Sequence, residues 1–237
     1  MTEMIRRFLR QKFGSVAIVI SMSVLALLSV MPLLASGGQS GTGASTLVLF
    51  VLAAASVSKD ASSGALQMIL ARPITRSAYL FGRYFGILAA YAAFLLAVLL
   101  LALALARIFG SSGGPQVNVA SAGIAILGEF LEGILIAAIL VFFSTFLPGY
   151  ADLLGYFLLL LLLQVPQMLS RTLSWPWLTR FGQIAQENLH PSVPWDEVLR
   201  GDNVLRAATG RYVLAVTAFL LLASVVFARR EFAYGQD

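Results

Sequence analysis

Two carboxylates, Glu129 and Glu132, interrupt the otherwise apolar run from 119 to 147. Placed at i and i+3, they share one face of a helix. An acidic group in a membrane span is costly and normally faces the protein interior or a watery cavity. The chemistry open to such a pair is proton exchange or attraction of a cationic or polar solute, at a pathway or gate. The other reading is structural: an interhelix hydrogen bond, or a place near the outer interface, with Arg107 and Arg211 at neighbouring outer ends as conceivable partners. Little else in the chain can do chemistry. There is no cysteine, so disulfides, thiolate metal sites and cysteine nucleophiles are excluded. The single histidine, His190, rules out a histidine metal cluster within one chain and reads as a surface residue. No GxSxG-type nucleophile supports an intramembrane enzyme. Lys12 and Lys59 are followed by Phe13 and Asp60, so neither closes a phosphate-binding loop, which needs Ser or Thr after its Lys. The chain is expected to hydrolyse no ATP by that device and not to be an enzyme.

The elements that must position these residues are membrane helices. The 237 residues are 59% hydrophobic and 11% charged, with a mean hydropathy of +0.88. Soluble domains carry about 25% charged residues. Six apolar segments approach the roughly 20 residues that a helical span needs: 15–35, 45–58, 84–107, 119–147, 151–169 and 211–228. The expected fold is all-α, a single transmembrane domain over 1–237. The second segment is short, and its helix is expected to run past Val57 with Lys59 at the interface. Gly128 and Gly133 permit a bend or tilt in the fourth. Pro148-Gly149 makes a tight turn before the fifth, and Asp152 is expected to cap it. Gln164 and Gln167 flank Pro166 and can satisfy the backbone groups it frees.

Orientation follows from the basic residues. With the N-terminus inside, the inner side holds Arg6, Arg7, Arg10, Lys12, Lys59, Arg72, Arg76, Arg83, Arg229 and Arg230, ten of the 16 Lys and Arg. Both termini are therefore expected in the cytoplasm. The net charge of +5 reflects these loops rather than nucleic-acid binding. Residues 1–14 read as an interfacial amphipathic helix leading into an uncleaved first span. Residues 170–210 hold all three tryptophans, Trp175, Trp177 and Trp195, which favour the membrane–water boundary. Trp177, Leu178, Phe181, Ile184 and Ala185 share a helical face, and Pro194 precedes a short helix start at Asp196-Glu197. This stretch reads as short helices lying on, or dipping into, the outer interface, either as a cap on a pathway or as a plain outer loop.

The stretch 59–83 is the only long segment within the hydrophobic part of the chain that mixes charge, glycine, proline and an amphipathic pattern. Ser62 and Ser63 can cap a helix whose apolar stripe is Leu66, Ile69 and Leu70. Pro73 ends it, because proline disfavours helix at the residue before it. Thr75 can cap the next helix, which runs through Tyr79 into span three. The result is a short helix across the cytoplasmic face, held at both ends by spans.

These residues resemble a known signature. Asp60, Gly64-Ala65-Leu66, Leu70, Pro73-Ile74-Thr75-Arg76 and Gly82-Arg83 are similar to the corresponding segment of the type-2 permease subunits of ATP-binding cassette transporters. Ala65 stands where threonine is common, and Arg83 where lysine is common. The tail Phe227-Ala-Arg-Arg-Glu231 and the plan of six spans also resemble that family. The resemblance implies a membrane subunit paired with a second copy or a paralogue above two cytoplasmic ATPase subunits, which hold the ATP and magnesium; this chain then carries no cofactor. It implies a coupling helix over 61–71, with Asp60, Gly64, Leu66, Leu70, Pro73 and Arg76 as coupling residues, and a smaller second contact from Thr145 to Ala151 that includes Pro148 and Gly149. It further implies an exporter in the cytoplasmic membrane of a prokaryote, to which an extracytoplasmic accessory protein can add. A stand-alone secondary transporter or channel using Glu129 and Glu132 is the competing reading; it has no need of the 59–83 helix, and no convincing internal repeat supports it.

Overall fold

A computed structural model describes residues 16–38, 45–54, 56–57, 60, 75–110, 117–173, 175–201 and 206–229. Eight helices appear among them: α1 (Val16–Ala35), α2 (Ser45–Ala53), α3 (Arg76–Gly110), α4 (Val119–Ser144), α5 (Ala151–Leu173), α6 (Pro176–Leu189), α7 (Trp195–Arg200) and α8 (Arg206–Arg229). No strand occurs among the described residues. Four helical stretches are long and apolar enough to cross a bilayer: Arg76–Ile108, Val119–Ser144, Ala151–Leu169 and Ala207–Arg229. The chain is thus an all-helical, multi-pass membrane protein. The remaining two expected spans correspond to α1, whose apolar stretch Ile20–Ala35 is shorter, and to α2. With nine residues, α2 is about 14 Å long and as a helix crosses only half of the hydrocarbon core. The amphipathic start of the chain and most of the 59–83 segment, including Lys59, Ser62, Ser63, Gly64, Ala65, Leu66, Leu70, Arg72 and Pro73, lie outside the described residues, as does the tail beyond Arg229.

The described chain divides into two compact units. The first takes Met1–Ala53, Gly82–Ala137 and Pro194–Val204. Its core is built from Leu33, Val48, Leu49, Leu52, Ile87, Tyr91 and Leu95, all buried. Helix α2 does not continue past Val57 as the sequence suggests: Ala54, Ser56 and Val57 lie in turns. In the second unit the Val57 N–H donates to Ser144 Oγ at 3.1 Å, so that amide is taken by another helix instead of extending its own.

Gly128 and Gly133 bring no break, because α4 runs uninterrupted. Gly133 serves close approach. A Cβ there would lie 2.4 Å from Tyr91 Cε1, so only glycine lets the ring sit against the helix. Nearby, the Tyr84 hydroxyl donates to the Ile134 carbonyl at 3.1 Å. Helices in lipid gain little from hiding apolar surface from each other and associate through such packing and hydrogen bonds.

The second unit takes Ala54–Phe81, Ala138–Val193 and Leu205–Asp237. Phe142 anchors an aromatic cluster with Phe143, Phe146 and Phe219. The turn after α4 is tight, as expected: Gly149 adopts φ +58, and the Ala151 N–H donates to the Pro148 carbonyl at 3.2 Å. Asp152 sits inside the first turn of α5 rather than capping it. It is fully buried, and its Oδ1 accepts the Leu153 N–H at 2.9 Å. Leu154, Leu158, Leu161 and Leu162 are exposed on α5, a surface suited to acyl chains.

Candidate functional site

The two glutamates do meet in a cavity. Within the first unit, Glu129 and Glu132 line a space of about 160 Å³ with Ser45, Thr46, Tyr91, Gly133 and Ile136. Ser45 opens α2 and lines the recess beside Tyr91; both residues are buried. Tyr91 also stacks on Phe130, the residue after Glu129, with centroids 6.4 Å apart. Glu129 is half-buried and Glu132 exposed. Glu132 lies 13 residues into α4, about 20 Å along a helix roughly 39 Å long. The arrangement is a small oxygen-rich recess in a span, with two carboxylates and three hydroxyl-bearing side chains. Such a recess can hold water or attract positive charge.

Of the two arginines suggested for these acids, Arg211 pairs instead with Glu187; Arg107 is exposed.

A second set of predicted residues clusters in the other unit, at the base of α3. Asp60 is 5% exposed, and its Oδ2 accepts the Tyr79 hydroxyl at 2.6 Å. Tyr79, itself buried, stacks on Phe227 with centroids 5.8 Å apart. Arg76 Nη1 donates to the Ala228 carbonyl at 2.9 Å and to the Phe227 carbonyl at 3.4 Å. These carbonyls belong to the last turn of α8, where the helix has no further N–H to offer them and a cation is favoured. Thr75 caps α3 as predicted, its Oγ1 accepting the Ala78 N–H at 3.3 Å.

A scan against protein-family models and searches of characterised proteins and of solved structures found no match.

The residues on either side of the undescribed 61–74 stretch are therefore fixed by the chain's own side chains. Asp60 is held by α3, and Arg76 holds α8. The turn that follows α4 adjoins this base through Val57 and Ser144, and it leaves Phe146, Pro148 and Tyr150 exposed. Of the predicted residues, Asp60, Arg76, Pro148 and Gly149 thus fall in one unit, while Glu129 and Glu132 fall in the other. Gly64, Leu66, Leu70 and Pro73 lie outside the described residues.

Sequence reasoning missed Tyr79, Ser144, Ser45, Thr46 and Tyr91. A signal existed for some of them. Ser45 opens an apolar run after a Gly-rich stretch, a helix-start pattern. Tyr84 and Tyr91 are seven residues apart, hence on one helical face. The Gln167 amide donates to Gln186 of α6, and Gln164 is exposed. One further expectation needs correction. His190 is not a free surface residue. It closes the C-terminus of α6, half-buried, with Nε2 3.4 Å from the Tyr156 hydroxyl.

Proposed function

We propose that the chain is the membrane permease subunit of a type-2 ATP-binding cassette exporter, driven by separate ATPase subunits in the cytoplasm. The observation that carries this reading is the 60–83 segment, whose residues resemble the coupling region of that family and whose flanks are anchored in the described fold. Asp60 is tied to Tyr79, and Arg76 to the end of α8. A force applied to the stretch between them passes into α3 directly and into α8 through Arg76. The exposed turn with Phe146, Pro148 and Tyr150 offers a second, smaller contact. In this reading α1 and the apolar segment 45–58 that contains α2 complete six membrane crossings, both termini face the cytoplasm, and a second copy or paralogue completes the pathway in a prokaryotic cytoplasmic membrane. ATP and magnesium belong to the ATPases.

Leu66→Asp and Leu70→Asp test it, since a buried charge on the apolar stripe of 61–71 opposes docking. The ATPase encoded with this chain is expected to co-purify with the wild type and to be lost from both variants, while membrane insertion is unchanged. Undiminished co-purification overturns the coupling assignment. The acidic recess favours a second reading, a stand-alone proton or cation transporter. Under the permease reading, the purified chain alone in liposomes carries no proton or cation flux. A flux that Glu129→Gln with Glu132→Gln abolishes would instead establish the second reading.

A further inference from the structure

Three helices of the second unit meet around a polar cavity of about 420 Å³. Its walls carry Gln167 of α5, Gln183, Gln186 and Glu187 of α6, Ser192 beyond α6, and Arg211 of α8. A Cβ at Gly182 would lie 3.1 Å from Gln167 Cγ, so glycine admits α6 to this close approach. Two contacts tie the walls together: the Gln167 amide donates to Gln186, and Arg211 pairs with Glu187. The ion pair engages one guanidinium nitrogen and one carboxylate oxygen. A guanidinium has five N–H donors and a carboxylate about four acceptor positions, so both groups keep capacity for a further partner. Their side chains are 47% and 55% exposed, accessible to one.

The cavity lies at one end of two membrane-length stretches. Gln167 is two residues from the end of Ala151–Leu169, about 3 Å along the helix, and Arg211 is four residues from the start of Ala207–Arg229, about 6 Å. Both therefore fall at the depth of lipid headgroups. From Arg211 an apolar stripe runs on along α8. Leu214, Leu221, Leu222 and Val225 recur at helical spacing on the face of Arg211, and all four are exposed. A polar cavity at the boundary, heading an exposed apolar stripe, has the outline of a single lipid.

We propose that this cavity binds the headgroup of a phospholipid carrying a primary ammonium, with an acyl chain along the Leu214–Val225 stripe. The charges select the headgroup. One carboxylate and one guanidinium match one ammonium and one phosphate. The phosphate of an anionic lipid would meet Glu187 with no ammonium to offset the repulsion. A primary ammonium also donates hydrogen bonds to Glu187 and to glutamine carbonyl oxygens. Choline donates none, and quaternary ammonium groups are recognised by aromatic rings. No aromatic side chain lines this cavity among the described residues; the remaining walls are Pro191 and Ala208. Arg211, Ser192 and the Gln183 amide supply donors to the phosphate. The inference rests on the membrane fold alone and stands or falls independently of any ATPase partner.

Native mass spectrometry of the full chain in detergent, titrated with lipids of matched acyl chains, tests it. Phosphatidylethanolamine is expected to be retained at several-fold lower concentration than phosphatidylcholine or phosphatidylglycerol. Glu187→Gln is expected to weaken phosphatidylethanolamine roughly tenfold or more and to strengthen phosphatidylglycerol, a reversal that loss of structure does not produce. An exposed ion pair contributes little to folding. Should this variant nonetheless fail to fold, Ala208→Leu narrows the cavity with every charge in place; it is expected to weaken phosphatidylethanolamine and leave phosphatidylcholine unchanged. Glycerophosphoethanolamine, the same headgroup without chains, is expected to compete only at far higher concentration. Equal retention of the three lipids, or tighter retention of either of the other two, overturns the proposal. So does a Glu187→Gln variant that weakens all three alike, or a phosphatidylethanolamine preference that survives both substitutions. Glycerophosphoethanolamine binding as tightly as the lipid makes the occupant a soluble zwitterion and overturns it as well.

Discussion

The Asp60–Tyr79 contact is the sharpest point at which the described fold can be tested. Both side chains are buried, at 5% and 2% exposure, and the 2.6 Å separation lies in the range of a hydroxyl bound to a carboxylate. A hydrogen bond to a charged group contributes about 1.5–3 kcal/mol, a factor of roughly 10 to 150 in an equilibrium constant. Tyr79→Phe removes the hydroxyl and keeps the ring stacked on Phe227, so it isolates that bond. For a chain of this size, about 2–4 °C of melting temperature corresponds to each kcal/mol. The expected fall is therefore roughly 3–12 °C in a detergent-solubilised thermal melt followed by size-exclusion chromatography. Asp60→Asn leaves a neutral acceptor and is expected to lose part of the same energy. Because the two substitutions act on one bond, the double variant should fall short of their sum. A cycle in which the two effects add within about 0.5 kcal/mol refutes the contact. So does a Tyr79→Phe variant as stable as the wild type.

Two other positions give contrasts within a single helix or turn. Gly133→Ala drives a Cβ into the Tyr91 ring and should cost about 1–3 kcal/mol in the same melt, whereas at Gly123 of the same helix nothing lies within 4 Å, and alanine should be neutral or gain up to about 1 kcal/mol of helix propensity. Equal melting of the two variants would show that Tyr91 does not rest on α4. Gly149 has φ +58 with open space around it, so Gly149→Ala should cost about 1–2 kcal/mol through backbone strain alone; the melting order glycine, asparagine, alanine checks it, since asparagine tolerates that conformation better.

Composition and apolar length were enough to read an all-helical membrane protein, because a lipid environment leaves the backbone almost no other way to satisfy its hydrogen bonds. The tight turn at Pro148-Gly149 and the cap at Thr75 were legible too, since both depend on residues adjacent in the chain. The i, i+3 spacing put Glu129 and Glu132 on one face, again a local property of a helix. What faces that face was not local. Ser45 and Tyr91 reach the acids from other helices, and nothing in the spacing near 129 names them. Arg211 shows the same limit: charge alone offered it to the glutamates, and packing gave it to Glu187. Val57 could have continued a helix by propensity, yet Ser144, 87 residues away, takes its amide. In α6 the helical spacing put Trp177, Phe181 and Ile184 on one face, again a local property, whereas only packing against α5 and α8 gave Gln186 and Glu187 their partners.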